Sequence, residues 1–128
     1  MLAGPTIQAV SAGAGAFVNG EIQAAWTVPI DAMWPSGQEA IRQLQFKVVS
    51  EKLTSKNRGL MFAEDLSGRS IEVSMRAITP TVTRFTIRVG TFGDEAVSRL
   101  IVKQLEIELN KRLPGPNTSS NDQIPIAN

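Results

Sequence analysis

The side chains that most often carry chemistry in enzymes are largely missing from this sequence. Its 128 residues contain no histidine, no cysteine and no tyrosine. Histidine is the side chain best suited to proton transfer near neutral pH and the commonest metal ligand, and cysteine supplies thiolates for catalysis and zinc sites. The composition therefore predicts a protein that is not an enzyme and that holds no metal ion and no cofactor.

Two pairs of adjacent acids remain as possible proton donors and acceptors. Glu64 and Asp65 end a predicted strand at a turn, where carboxylates are usually solvated turn formers. Asp94 and Glu95 open a predicted helix, where acids stabilise the free N–H groups. Paired catalytic acids need an enclosed environment that separates their pKa values. The sequence predicts no enclosed environment around either pair, and no serine lies in a nucleophile motif. We therefore predict no catalytic residue.

A glycine-rich segment connects the last predicted strand to the last helix. Gly90 and Gly93 stand where phosphate-binding loops occur, but Asp94 and Glu95 follow in place of the lysine that such a loop requires. We predict that this turn is mainly structural: the glycines adopt conformations closed to other residues, Phe92 plugs the end of the core, and an acid caps the helix. The alternative is a docking site, and it requires Phe92 to be exposed.

Three arginines are predicted to share the open face of the sheet. Arg76, Arg84 and Arg88 lie on adjacent strands, with Glu72 placed to neutralise one of them. Such an array is usually a solvated surface. The functional alternative is that these three arginines form an interaction face for anionic lipid headgroups, glycans or an acidic partner.

Composition and charge restrict the other classes of function. The net charge is +1, with 13 basic and 12 acidic residues, so we expect no nucleic-acid binding. Hydrophobic residues make up 42% of the chain, as in an ordinary globular domain. No apolar segment reaches the length of roughly 18 residues that spans a bilayer, so we predict no transmembrane segment.

The hydrophobic pattern predicts an α+β fold in the order strand, helix, four strands, helix. Both helices should pack on one face of an antiparallel sheet of about five strands, giving a two-layer sandwich. Asp31 is predicted to cap the first helix. We predict a flexible leader over residues 1–20, a single domain over 21–113 and a disordered tail over 114–128. The predicted strands are 21–28, 46–51, 59–64, 70–78 and 82–89, with the stretch 52–58 as a polar connection, and the last helix covers 94–113.

The register of the last two strands also follows from their alternation. Pairing Ile78 with Val82 places large apolar residues opposite each other on one face, beginning with Met75 and Phe85. The other face then pairs Arg76 with Arg84. The predicted core contains Trp34, Ile41, Val73, Met75, Phe85, Ile87, Leu100, Ile101 and Leu105.

Residues 88–99 resemble the end of a family of small bacterial envelope lipoproteins of unknown function, whose members carry an R-V-G-x-F-G-D-E-x-x-S signature before their last helix. The segments 26–31 and 66–68 resemble the family's first helix entry and its hairpin. The resemblance implies an exported protein in the periplasm or at the outer membrane, usually tethered by a lipidated cysteine. Here Pro5 stands where that cysteine would be, so the chain as given cannot be acylated. The family supplies no activity.

These observations favour a non-enzymatic domain of the cell envelope with an interaction or structural role toward an unknown envelope macromolecule. The alternative is a carrier of a small apolar ligand held between the helices and a curved sheet. A carrier needs an unfilled apolar cavity of roughly 300 Å3 or more. The sequence leaves the oligomeric state open.

Overall fold

The computed structural model describes residues 15–112, which form a six-stranded antiparallel sheet with two helices on one face. This architecture confirms the predicted α+β sandwich. The strands follow the order β1-β2-β6-β5-β4-β3 across the sheet. The strands are β1 (Ala16–Val18), β2 (Glu21–Trp26), β3 (Lys47–Ser55), β4 (Arg58–Glu64), β5 (Ser70–Thr79) and β6 (Val82–Val89), and the helices are α1 (Ile30–Gln43) and α2 (Glu95–Arg112).

The additional strand lies within the segment predicted as a leader. β1 pairs with β2 through a tight hairpin in which Asn19 and Gly20 both have positive φ, 53° and 83°. A strand of three residues is too short to show an alternating pattern, which is why sequence reasoning placed it in the leader. Residues 1–14 of that leader and the predicted tail lie outside the described residues.

β3 is longer than predicted, because most of the supposed polar connection after Glu51 continues as strand. It forms the edge of the sheet beside β4, and its residues are largely exposed. Register shifts between Val48 and Ser50 and between Leu53 and Ser55 interrupt the alternation. An exposed, bulged edge strand needs few apolar residues, so its sequence resembles a loop.

α1 begins one residue earlier than its predicted cap. Pro29 occupies the N-cap position, and its carbonyl accepts the N–H groups of Ala32 and Met33. No side chain caps this helix, and Asp31 lies in the first turn instead. The predicted capping role of Asp31 is therefore wrong, because the helix begins at Ile30 and Asp31 already lies inside it, past the N-cap position.

The predicted register of β5 and β6 is confirmed. Met75 pairs with Phe85 on the helix-facing side and Arg76 with Arg84 on the open side. The pairing departs only at the hairpin end, where a register shift places Thr79, rather than Ile78, opposite Val82.

The core between helices and sheet contains eight of the nine predicted residues. Phe85 packs against Trp26, with 4.6 Å between ring centroids. Leu100 is the error, because its side chain is 47% exposed whereas the adjacent Ile101 is 2% exposed. Successive residues of a helix are rotated by about 100°, and the buried stripe of α2 extends from Ile101 to Val102 rather than back to Leu100. The confirmed core residues are Trp34, Ile41, Val73, Met75, Phe85, Ile87, Ile101 and Leu105.

Candidate functional site

The turn between β6 and α2, residues 90–93, is here called the signature turn. Gly90 and Gly93 have φ values of +73° and +89°, which confirms the prediction that they adopt conformations unfavourable for other residues. A Cβ atom on Gly93 would lie 2.3 Å from the carbonyl oxygen of Gly20. The signature turn therefore packs directly on the backbone of the β1–β2 hairpin, where no side chain fits.

Arg88 links the signature turn to the β1–β2 hairpin. Its guanidinium donates from Nη2 to the carbonyl of Asn19 at 2.9 Å and from Nη1 to that of Thr91 at 3.3 Å. It also forms an ion pair with Glu21 at 3.4 Å, rather than with the predicted partner Glu72. Arg88 thus binds groups of its own fold, which distinguishes it from Arg76 and Arg84, the other two residues of the predicted interaction face.

Asp94 and Arg69 fix the other side of the signature turn. Asp94 caps α2, since its Oδ1 accepts the N–H of Val97 at 3.0 Å, and this confirms the predicted acidic cap. Its Oδ2 lies 2.9 Å from Nη1 of Arg69. The Val97 N–H and the Arg69 guanidinium lower the pKa of Asp94 below its ordinary value. Glu95 instead pairs with Arg99 along the helix at 2.9 Å.

Arg69 in turn binds Asp65 in the β4–β5 hairpin, with 2.8 Å between Nε and Oδ2. The Asp65 side chain is only 6% exposed and also accepts hydrogen bonds from Ser67. Burial raises the pKa of Asp65, but the hydrogen bonds from Arg69 and Ser67 outweigh burial and lower it to about 2. This carboxylate is a structural anchor with every oxygen occupied, which does not suit a proton-transfer role.

Phe92, at the tip of this braced turn, is 91% exposed. The prediction that it plugs the core is therefore wrong. Val89 and its cross-strand partner Ile71 already fill the end of the core beside the turn, and both are fully buried. Leu66, at the tip of the hairpin that Arg69 joins to the turn, is 80% exposed. An open groove of about 300 Å3 lies along the turn, lined in part by Arg69 and Phe92.

The open face of the sheet carries a second feature, a cross-strand line of Arg58, Arg76 and Arg84, here called the arginine row. Arg58 pairs with Arg76, and Arg76 pairs with Arg84. Sequence reasoning found two of these residues but missed Arg58, which it placed at the end of the polar connection. Its position one residue before the apolar alternation of β4 was the available signal.

Neither feature contains a group of acidic side chains of the kind that holds a metal ion. Within residues 15–112, no cluster of three or more acidic side chains could hold a metal ion. None of the helices in this described part is long and apolar enough to cross a membrane. The signature turn presents an exposed aromatic side chain, and the arginine row concentrates positive charge on the open face of the sheet.

Comparison with known families assigns the chain. A family model described as protein of unknown function (DUF3568) matches residues 3–108. The chain belongs to this family. The DUF3568 match includes both the signature turn and the arginine row, and it agrees with the resemblance to an uncharacterised family. A search of curated proteins finds no match to the chain.

Proposed function

We propose that this DUF3568 domain is a non-enzymatic interaction module of the bacterial cell envelope that docks on a partner protein through Phe92. The observation that carries the proposal is the 91% exposure of Phe92 on a turn that is braced from both sides. A large apolar side chain in water gains free energy when a partner buries it.

The rigidity of the turn favours docking further. Arg88 holds the Thr91 carbonyl, the backbone of Gly93 lies against that of Gly20, and Asp94 is held by Arg69. A recognition residue on a preorganised backbone loses little conformational entropy on binding. Aromatic anchors of this kind dominate the energy of many protein interfaces when they enter a pocket on the partner. The partner implied is a protein with an apolar pocket of aromatic size.

The packing of the core supports an interaction module over a carrier. A carrier needs an apolar cavity between the helices and the sheet. In residues 15–112 this space holds the two-ring contact of Trp26 and Phe85, together with Met33, Met61 and Met75, and all five side chains are buried. Polar residues and arginines contribute much of the lining of the grooves on the sheet's open face.

The envelope location rests on the resemblance of residues 88–99 to exported lipoproteins. Fractionation of cells that produce the native protein, followed by immunodetection of the domain, tests this part. The proposal predicts recovery with the periplasmic or membrane fraction, and recovery with the cytoplasm alone contradicts it.

Site-specific photo-crosslinking tests the docking site. The photoreactive analogue p-benzoylphenylalanine is placed at position 92 and, as a matched control, at Phe62, which is a partly exposed phenylalanine on the open face of the sheet. We expect one discrete protein adduct from position 92 that is absent from position 62. The captured protein is then identified and purified, and Phe92→Ala should weaken its binding by about tenfold or more.

Two results would contradict this proposal. One is a diffuse set of adducts that is the same at positions 92 and 62. The other is an identified partner whose affinity Phe92→Ala leaves unchanged while the variant keeps the melting temperature of the wild type.

A further inference from the structure

The arginine row places like charges directly opposite each other on three adjacent strands. Like charges in this arrangement destabilise a sheet unless something compensates them. Strands lie roughly 5 Å apart, so the row extends over roughly 10 Å. In the described part of the chain, none of Arg58, Arg76 and Arg84 forms an ion pair with an acidic side chain, although Arg42, Arg69, Arg88 and Arg99 all do.

Positive charge is concentrated around the row, at one end of the sheet, although the chain as a whole has a net charge of only +1. Lys52 lies on the same face, opposite Leu60, which is two residues along β4 from Arg58. Lys56 lies in the turn between β3 and β4. The nearest acid along β5 on this face is Glu72, four residues or roughly 13 Å from Arg76. Glu72 lies directly opposite Arg88 on β6.

The surface beside the row offers polar groups and a half-exposed aliphatic side chain. One groove of about 410 Å3 is lined by Arg58 and Arg76 together with Ser55 and Asn57. An adjoining groove of about 310 Å3 shares Arg76 and contains Ile78, whose side chain is half exposed. Guanidinium groups flanked by hydroxyl and amide groups suit phosphate oxygens, and an aliphatic side chain beside them suits the boundary of an acyl layer.

We propose that the arginine row binds the phosphate groups of an anionic phospholipid surface, with the open face of the sheet lying against the membrane. Arg84, the member of the row on β6, is the third residue of that strand, and the signature turn follows the end of the same strand roughly 20 Å away. The membrane contact therefore leaves Phe92 accessible and does not depend on the docking proposal.

A lipid surface fits the row better than a nucleic acid does. The residues that line the two grooves include no aromatic side chain on which a base could stack. A row of roughly 10 Å meets few phosphates of a polynucleotide. A membrane surface instead presents headgroups side by side, and each arginine contributes independently.

Vesicle co-sedimentation of the full chain tests the proposal. Vesicles of phosphatidylcholine alone are compared with vesicles that contain about one-third phosphatidylglycerol. We expect binding only to the anionic vesicles and a decline at high salt. The combined substitution Arg58→Gln, Arg76→Gln and Arg84→Gln should weaken binding by about 100-fold.

The matched control removes three positive charges elsewhere. Arg42→Gln, Arg99→Gln and Lys103→Gln change exposed residues of the helices and should leave vesicle binding within about twofold of the wild type. Thermal melting separates loss of binding from loss of fold, and we expect the row variant to melt no lower than the wild type because repulsion is relieved.

Three outcomes would overturn the proposal. The first is absence of wild-type binding to anionic vesicles, and the second is an equal loss of binding in both triple variants. The third is a preference for another ligand through the same arginines: full competition by millimolar inorganic phosphate would indicate a small-anion site, and tighter binding of single-stranded DNA would indicate a nucleic-acid surface.

Discussion

Arg69 and Asp94 form an ion pair, with 2.9 Å between Nη1 and Oδ2, that connects the β4–β5 hairpin to the first turn of α2. Because Arg69 also binds Asp65, one guanidinium joins two carboxylates from two turns. The exposed side chains Leu66 and Phe92 belong to these same two turns. The arrangement thus presents both apolar side chains from a single braced end of the sandwich.

The Asp65 carboxyl predicts a loss of stability in acid. Its pKa in the folded protein is about 2, against an ordinary value of 3.8. A carboxyl with a lowered folded-state pKa contributes its full stabilisation above the unfolded value and loses it as the pH falls from about 4 through about 2. We expect Asp65→Asn to melt at a lower temperature than the wild type at neutral pH and to lose less on acidification. Circular dichroism melts across this pH range measure the difference.

A control for the acid experiment is Asp31→Asn, which removes an exposed carboxylate from the first turn of α1 without affecting these hydrogen bonds. That variant should retain the acid-dependent fall of the wild type. Parallel melting curves for Asp65→Asn and the wild type at every pH would show that this carboxylate does not stabilise the fold.

Two phenylalanines should respond oppositely to truncation. Phe92 is almost fully exposed, so Phe92→Ala should change the free energy of unfolding by no more than about 0.5 kcal/mol. Phe85 is fully buried against Trp26, and Phe85→Ala should cost roughly 3–5 kcal/mol through lost contacts and a cavity. Denaturant titration compares both variants. A large loss for Phe92→Ala would restore the structural interpretation of the turn and weaken the docking proposal.

Adjacent positions of α2 provide a similar comparison. Ile101→Ala should destabilise the protein by roughly 2–5 kcal/mol, because its side chain is buried against the sheet layer. Leu100→Ala should cost far less, since that side chain is about half exposed. Equal losses of unfolding free energy would mean that the buried stripe of α2 is rotated from its position in this structure.

Alanine substitutions at two glycines with nearly the same backbone conformation distinguish the cost of backbone strain from the cost of a steric clash. Gly68 and Gly93 have φ values of +86° and +89°, but a Cβ on Gly68 would meet nothing within 4 Å, whereas one on Gly93 would collide with the backbone of Gly20. Gly68→Ala should cost roughly 1–2 kcal/mol from the left-handed conformation alone. We expect Gly93→Ala to cost clearly more, measured as the unfolding free energy in denaturant. Similar costs would argue against the close contact with Gly20.

The regular elements and several turn positions could be predicted from local patterns. Alternation in β5 and β6 was sufficient to place Met75 opposite Phe85, and an acid after Gly93 was sufficient to predict the cap of α2. The edge strands β1 and β3 could not be predicted correctly, because one is very short and the other is polar and bulged.

The candidate sites were predictable as groups of residues but not in their roles. The sequence placed Arg88 on the same face as Arg84, yet the two differ in their contacts because Arg88 reaches the carbonyl of Asn19, which lies 69 residues away in the chain. Arg58 belongs to the arginine row because β4 pairs with β5 in a register that places it opposite Arg76.

By itself the sequence determined the α+β class, the buried faces of the central strands and the glycine conformations of the signature turn, since these depend on residues close together in the chain. Only the tertiary structure decided that Phe92 points into solvent, because Val89 and Ile71 occupy the end of the core that Phe92 would otherwise fill. The same holds for the arginines. Strand pairing between distant segments determines which of them find partners and which remain available for a ligand.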